Sequence, residues 1–251
     1  MNQPYPAELY AALHLGNPGD LDFYRARCRG ADAVLELGCG YGRVLEALAT
    51  EGLQITGLDT SRELLALAEA RLQRVDGNKG ALVLGDMRRF AFDQKFDRIL
   101  IPYSGLFCLT SLPDVEACLQ NIASHLRPGG QFIFDAYSAD NFHDDPEQDE
   151  DAEDDAPEDV ATITHEGITY HVTEQSQWWR EEQRMDVVYV HEPREGGHTI
   201  AAPLQHRYLL SRQIEPLLKR AGLDLVSLDG DYQGTPFTPE ADLIVVVARL
   251  A

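Results

Sequence analysis

The sequence predicts an α/β fold with a mostly parallel sheet, for three reasons. Apolar runs of strand length alternate with helical segments from residue 33 to residue 136. The first run ends in a glycine cluster, Gly38, Gly40 and Gly42, at the edge where open α/β sheets bind ligands. The same alternation returns between residues 211 and 249. Strands separated by helices favour right-handed crossovers and parallel pairing.

The α/β segments follow one another in a regular order, and ordinary stop signals separate them. Gly52 ends the first helix after the glycine cluster, and Thr60 or Ser61 can cap the next one. The run Arg127-Pro128-Gly129-Gly130 stops a later helix. We predict helices at 20–28, 43–50, 62–73, 114–126 and 211–221, and strands at 33–37, 53–58, 81–84, 96–101, 131–136, 223–228 and 243–249.

The pattern breaks between residues 141 and 206, where we predict an insertion. Eleven of the 42 acidic residues lie between 144 and 159, about half of the excess negative charge, and such a run is expected to be solvated and mobile. Period-two alternation follows at 168–177, 185–191 and 199–210, which predicts an antiparallel sheet. The chain is thus predicted as one domain, 1–251, with a lead-in or lid at 1–30 and the insertion at 141–206.

Bulk composition excludes several kinds of partner. The 21 basic and 42 acidic residues give a formal net charge of −21, and so acidic a chain repels phosphate backbones; we expect no nucleic-acid partner. No apolar run is long enough to span a bilayer, so we expect no membrane partner. A small molecule is the expected partner, and a homodimer remains open.

Cysteine usage disfavours a metal site. The four cysteines, Cys28, Cys39, Cys108 and Cys118, form no C-x-x-C pair, so neither a zinc site nor a redox dithiol is indicated, and we predict no metal. Free thiols, together with a first segment that lacks the pattern of a signal peptide, predict a cytoplasmic location.

The glycine cluster reads Glu36-Leu37-Gly38-Cys39-Gly40-Tyr41-Gly42. A dinucleotide fingerprint, G-x-G-x-x-G, requires its third small residue at position 43, where this chain has Arg43. That departure argues against a nicotinamide-dependent oxidoreductase. Glu36 would repel a pyrophosphate but would favour a cationic ligand. The simpler interpretation of the cluster is a tight turn between a strand and a helix.

Two carboxylates follow the next strands. Asp59 ends the second strand, about 20 residues after the glycine loop, where an acidic residue accepts hydrogen bonds from ribose hydroxyls. In Gly85-Asp86-Met87, Asp86 can accept from an adenine amino group while Met87 packs on the ring. The alternatives are a helix cap for Asp59 and a solvated turn for Asp86.

The ordered motifs resemble those of class I S-adenosylmethionine-dependent methyltransferases. They are the glycine cluster with Glu36, Asp59, Gly85-Asp86-Met87, Phe96-Asp97 and Leu126-Arg127-Pro128-Gly129-Gly130. The resemblance implies a seven-stranded sheet in the order 3-2-1-4-5-7-6 with strand 7 antiparallel, and S-adenosylhomocysteine as product. The cofactor residues predicted from these motifs and their neighbours are Glu36, Gly38, Cys39, Gly40, Gly42, Asp59, Thr60, Asp86, Met87 and Pro102.

Within this family, the insertion and the tail Gly230-Asp231-Tyr232-x-Gly234 resemble small-molecule N-methyltransferases, including those acting on amino sugars and glycine. We therefore predict in-line methyl transfer to an amine, which needs alignment and exclusion of water more than a strong base. The rival hypotheses are a transferase using decarboxylated S-adenosylmethionine and a non-catalytic module that binds S-adenosylmethionine or another protein.

The acceptor and catalytic residues are predicted from their places in the chain. Tyr103 and Ser104 follow the fourth strand and Tyr137 follows the fifth, while Tyr208 leads out of the insertion; these four are the predicted acceptor-binding residues. His206 and Tyr103 are the predicted catalytic residues. His206 is proposed as the proton acceptor because the ordinary pKa of histidine lies near neutral pH. The alternative for Tyr103 and Ser104 is packing against the helix at 114–126, and the alternative for His206 is a purely structural role.

Overall fold

The computed structural model describes residues 5–77, 79–144 and 157–251, which fall into two compact units. One unit contains Gly16–Asn141 and Leu209–Ala251 and is called the α/β unit here; the other contains the described residues of Met1–Leu15 together with Phe142–Tyr208. The second stretch of the latter unit nearly coincides with the predicted insertion, 141–206. None of the described helices is long and apolar enough to cross a membrane.

The α/β unit has a seven-stranded sheet in the order β3-β2-β1-β4-β5-β11-β10. The strands β1 to β5 pair in parallel, whereas β11 is antiparallel to both β5 and β10. This confirms the predicted order, the predicted strands 6 and 7 being β10 and β11. The strands are β1 (Val34–Leu37), β2 (Ile55–Asp59), β3 (Ala81–Leu84), β4 (Phe96–Ile101), β5 (Leu126–Tyr137), β10 (Leu223–Asp229) and β11 (Leu243–Leu250).

Two helices of this unit begin at serine caps. Ser61 caps its helix by accepting a hydrogen bond from Leu64 N at 3.2 Å, and Ser111 does the same for Asp114 N at 3.2 Å. Of the two predicted caps, Ser61 rather than Thr60 therefore starts the helix. The helices are α2 (Asp20–Cys28), α3 (Arg43–Ala49), α4 (Arg62–Leu72), α5 (Leu112–His125) and α7 (Ser211–Arg220), with a 3₁₀ turn at Gly105–Cys108. The short α6 (Asp140–His143) lies where the chain passes from this unit into the other.

One predicted boundary is wrong. The run from Arg127 to Gly130 was expected to be a connection, but β5 already begins at Leu126, which pairs with Phe96. The register then shifts, and Arg98 pairs with Gln131. The extra residues form an irregularity within the strand. In the sequence, the proline and the two glycines of this segment are typical of a turn.

The second unit contains an antiparallel sheet in the order β6-β7-β8-β9. Its strands are β6 (Glu158–His165), β7 (Ile168–Trp179), β8 (Arg184–Pro193) and β9 (Ile200–Arg207), and the helix α1 (Ala7–Leu13) belongs to the same unit. Leu9 of α1 packs in a cluster with Ile163, Tyr170 and Val172 of the sheet. The predicted sheet is present, but β6 and α1 were not predicted. Most of the predicted acidic loop, residues 145–156, lies outside the described residues.

Packing between α3 and α4 depends on a glycine, and we predict the stability cost of replacing it. A Cβ atom at Gly42 would lie 2.8 Å from the Cβ and 2.9 Å from the Cα of Ala68. Gly52 has a similar left-handed backbone, with φ of 78° against 81° at Gly42, but a Cβ there meets nothing within 4 Å. Gly52→Ala should therefore lower the free energy of unfolding by about 1 kcal/mol through backbone strain alone. Gly42→Ala should lower it by roughly 2 to 4 kcal/mol because overpacking adds to the strain. Urea denaturation of both variants measures the difference, and equal losses would contradict the packing role.

Candidate active site

The glycine loop after β1 is fastened to the end of β2. Gly38 N and Cys39 N donate hydrogen bonds to Leu58 O at 2.8 and 3.1 Å. Gly40 N donates to Asp59 Oδ2 at 2.8 Å. Gly38 and Gly40 have φ values of 68° and 52°, which glycine adopts without strain. The loop conformation therefore depends on two strand ends that parallel pairing brings side by side.

The three glycines face different surroundings. A Cβ on Gly40 would meet nothing within 4 Å, whereas a Cβ on Gly38 would lie 3.3 Å from Met87 Cε, and the space beside Gly42 is filled by Ala68. Gly40 thus offers bare, open backbone to a ligand, and Met87 borders the same loop. Gly42 serves the packing of helices, which the spacing of glycines in the sequence does not distinguish.

Asp59 has one protein hydrogen bond on each carboxylate oxygen. Oδ2 accepts from Gly40 N and Oδ1 accepts from Ser61 N, both at 2.8 Å. A carboxylate has about four acceptor positions, so the half-buried Asp59 retains acceptor capacity for a ligand's hydroxyl groups. The predicted neighbour Thr60 is exposed. The alternative of a helix cap does not apply to Asp59, because Ser61 fills that position.

Asp86 is engaged in an ion pair that sequence reasoning missed. Arg88 donates from Nε to Asp86 Oδ1 at 2.9 Å and from Nη2 to Oδ2 at 2.6 Å, and its main-chain N donates to Oδ1 at 2.9 Å. These bonds hold the pKa of Asp86 below its ordinary value. The predicted cofactor contact of Asp86 would thus have to use its remaining lone pairs.

Glu36 is a buried acid whose Oε2 has no hydrogen-bond partner among the described residues. Burial raises the pKa of Glu36 to about 8; Arg43 opposes the rise, and the nearby charge of Asp59 adds to it. Buried acceptors are normally satisfied. An acceptor left open in a negative environment suits a cationic hydrogen-bond donor.

Arg43 has a structural role that explains the departure from the dinucleotide pattern. Its guanidinium binds the carboxylate of Asp20 with two hydrogen bonds, one of them 2.9 Å long between Nη1 and Oδ1. A Cβ at Gly16 would lie 2.1 Å from Arg43 Cζ. Arg43 therefore fixes the chain segment before α2 against the beginning of α3.

Tyr103 and Ser104 form a left-handed turn directly after β4 and the buried Pro102. Tyr103 is half-buried, and burial raises the pKa of its hydroxyl while the charge of Arg43 lowers it. Ser104 Oγ accepts a hydrogen bond from Tyr137 N at 3.2 Å, so three of the four predicted acceptor residues are neighbours in the α/β unit.

The fourth predicted acceptor residue and the predicted base belong to the second unit. Tyr208 is fully buried, and its hydroxyl shares a 2.9 Å hydrogen bond with His143 Nδ1. Burial lowers the pKa of His206 to about 4. At neutral pH this imidazole is uncharged and is a weak proton acceptor.

Comparison with known proteins identifies relatives along most of the chain. A family model described as a methyltransferase domain matches residues 34–130. The cypemycin N-terminal methyltransferase of a Streptomyces species is 30% identical over 219 residues, covering 86% of this chain and 82% of that protein. The dTDP-3-amino-3,4,6-trideoxy-alpha-D-glucopyranose N,N-dimethyltransferase of Streptomyces venezuelae is 29% identical over 139 residues. That match spans 52% of this chain and only 56% of the relative.

Solved structures share the fold. The CcbJ methyltransferase from Streptomyces caelestis superposes with a TM-score of 0.78 at 24% identity, over 94% of this chain and 97% of that one. CalS10 from Micromonospora echinaspora, an amino pentose methyltransferase solved with S-adenosylmethionine bound, gives a TM-score of 0.66 at 22% identity, over 91% and 87% of the two chains.

The buried Glu36 predicts a pH-dependent stability. Its folded pKa of about 8 lies above the unfolded value of 4.5, so its contribution is intact below pH 4.5 and is lost as the pH rises through 8. Glu36→Gln removes the ionisation. We expect the variant and the parent protein to be equally stable near pH 4.5, and the variant to be more stable by roughly 2 to 4 kcal/mol at pH 8. Thermal unfolding across this range measures the difference; a constant offset would show that the carboxyl group does not titrate as described.

Proposed function

This chain belongs to the class I S-adenosylmethionine-dependent methyltransferases, and from that premise we propose that it methylates an amine of a small molecule. The observation that carries the proposal is the open backbone at Gly40, flanked by the unfilled acceptor of Glu36 and by Asp59. These groups fit a ligand with a cationic amino-acid end and a ribose.

Each of these residues has a distinct proposed task. Gly38 and Gly40 admit the ligand to the main chain, Glu36 accepts a hydrogen bond from its ammonium group, and Asp59 accepts from its ribose hydroxyls. Met87 packs against the adenine. When bound, S-adenosylmethionine supplies an electrophilic methyl group on a sulfonium. Cofactor contacts by Cys39, Gly42, Thr60, Asp86 and Pro102 stay predictions, and Gly42 has the packing role as well.

The two predicted catalytic residues are poor proton acceptors near neutral pH, which favours an amine acceptor. Burial raises the pKa of Tyr103 and lowers that of His206 to about 4, so neither group takes up a proton readily from a substrate near pH 7. A hydroxyl acceptor would need such a base, whereas an amine needs only to lose a proton to water. The names of two relatives, an N-terminal methyltransferase and an N,N-dimethyltransferase, support the same choice.

The chain's contribution to the displacement is then alignment and exclusion of water. We propose that Tyr103, Ser104 and Tyr137 hold the acceptor amine in line with the transferred methyl group. The roles of His206 and Tyr208, the cytoplasmic location, the homodimer and the lack of a nucleic-acid partner stay predictions.

Binding calorimetry followed by a substrate screen tests the proposal. The protein is titrated with S-adenosylmethionine, S-adenosylhomocysteine and NAD, and then incubated with S-adenosylmethionine and a panel of amines and matched alcohols. We expect binding of the first two ligands, none of NAD, and release of S-adenosylhomocysteine with amines alone. Turnover of alcohols but not of amines would contradict the acceptor class, and failure to bind S-adenosylmethionine would contradict the cofactor site.

Asp59→Ala should weaken S-adenosylmethionine binding by about 1 to 3 kcal/mol, because buried hydroxyls of the ligand lose their acceptor. The affinity of Asp59→Asn, which keeps one acceptor oxygen, should lie between those of Asp59→Ala and the parent protein. Glu69→Ala is the matched control, since Glu69 is an exposed acid on the neighbouring helix α4. Calorimetry gives all three affinities; equal affinity of Asp59→Ala and Glu69→Ala would remove Asp59 from the cofactor site.

His206→Gln should lower kcat for the identified amine by less than about tenfold, because general-base catalysis worth 10²- to 10⁴-fold is not expected from a group with a pKa of about 4. The rate above pH 6 should follow ionisation of the acceptor amine in both proteins. Steady-state kinetics between pH 6 and 9 measures both, and a loss of more than 100-fold would instead support the predicted catalytic role of His206.

A further inference from the structure

A buried carboxylate near the end of β5 is bonded by three donors. Asp135 has 0% of its surface exposed. Its oxygens accept hydrogen bonds from the hydroxyls of Tyr24 and Tyr232, the latter at 2.9 Å, and from Tyr103 N at 3.0 Å. Burial raises the pKa of Asp135, whereas these hydrogen bonds lower it. Because a buried carboxylate is costly without donors, three well-placed donors indicate a structure built around this side chain.

The third donor belongs to a strained turn. Tyr103 and Ser104 have φ values of 54° and 59°, and two consecutive left-handed residues that are not glycine are unfavourable unless their surroundings hold them. Asp135 bonds both: its carboxylate accepts from Tyr103 N, and its main-chain oxygen accepts from Ser104 N at 2.9 Å. The conformation of this turn therefore depends on Asp135.

The same carboxylate connects the turn with two distant parts of the α/β unit. Tyr24 lies in α2, and Tyr232 follows β10 near the end of the chain. The Tyr232 hydroxyl also accepts a hydrogen bond from Asn17 Nδ2 at 3.0 Å. A substitution that removes the carboxylate of Asp135 would thus remove hydrogen bonds from the turn, from α2 and from the segment after β10.

We propose that Asp135 is a positioning residue for methyl transfer, which holds the Tyr103–Ser104 turn so that Tyr103 meets the acceptor amine in one orientation. This role rests on the proposed function, in which Tyr103 and Ser104 contact the acceptor. Asp135 itself is fully buried and acts through the turn. It is therefore expected to affect the use of the acceptor and to leave binding of S-adenosylmethionine unchanged.

Two substitutions at Asp135 separate its acceptor function from its charge. Asp135→Asn keeps Oδ1, which accepts from both Tyr24 and Tyr103, and its amide can donate to the Tyr232 hydroxyl. Asp135→Ser withdraws the acceptor from Tyr103 N. Tyr232→Phe is the matched control, since it removes one donor to Asp135 and leaves both bonds to the turn intact.

Three measurements are made on each full-length variant: amide hydrogen exchange of residues 103–108, the calorimetric affinity for S-adenosylmethionine, and kcat and KM for the amine found in the screen. For Asp135→Ser we expect loss of protection at Tyr103 and Ser104, cofactor affinity within about threefold, and a fall in kcat/KM of about 100-fold, as for a misplaced substrate. Asp135→Asn should retain the protection and stay within about tenfold of the parent kcat/KM, and Tyr232→Phe should keep the turn protected.

The outcomes distinguish this inference from the proposed function. A wild-type protein that turns over no amine contradicts the proposed function, and with it this role, before any variant is made. Protection of the turn in Asp135→Ser contradicts the inference alone, as does unchanged kcat/KM in a variant whose turn has lost protection. Loss of cofactor affinity in proportion to kcat/KM would indicate a general structural role and also overturn the inference.

If Asp135→Ser does not fold, Asp135→Glu replaces that variant, since the added methylene displaces the acceptor from Tyr103 N. Unchanged hydrogen exchange and kinetics in Asp135→Glu would equally overturn the proposal.

Discussion

The hydrogen bond from Gly40 N to the carboxylate of Asp59 is the contact on which the site depends. It joins the loop after β1 to the end of β2, and it requires those two ends to lie side by side. Parallel pairing provides that arrangement, because parallel strands place their carboxyl ends at one edge of a sheet. Any ligand that lies on the bare backbone of Gly40 therefore also lies beside Asp59.

Charge at this edge is unevenly distributed. The charge of Asp20 raises the pKa of both Glu36 and Asp135, and the charge of Asp59 adds to the rise at Glu36, which Arg43 opposes. Arg43 is already bound to Asp20 by two hydrogen bonds, so it neutralises one acid and only partly offsets the others. Burial makes the remaining negative charge costly. The raised pKa of Glu36 is one expression of that cost, and binding of a cationic ligand relieves it.

The alternation of strands and helices and the motifs behind the predicted site were visible in the sequence because they are short-range patterns, whereas the order of the sheet followed from the family resemblance that those motifs carry. The glycine spacing, the acid about 20 residues later and the alternation of strands and helices are all visible within local windows. What escaped prediction depends on contacts that the motifs do not show. The fit of Gly42 against Ala68 joins two separate segments of the chain. The ion pair of Asp86 with Arg88 is local, but it occupies the carboxylate that was expected to contact the cofactor. The boundary at β5 was wrong because Pro128 and two glycines usually end strands, and here they lie within one.

Local rules fail most clearly at the turn after β4, and that failure is informative. Nothing in the residues Tyr103 and Ser104 favours a left-handed backbone, and a sequence-based prediction would assign them an ordinary connection. The conformation exists because Asp135, more than thirty residues later, bonds both members of the turn. Natural proteins tend to violate local preferences where function requires it. A strained turn held by a buried carboxylate therefore distinguishes this position more specifically than the identity of either residue does, and it is the structural basis on which the proposed acceptor contact of Tyr103 rests.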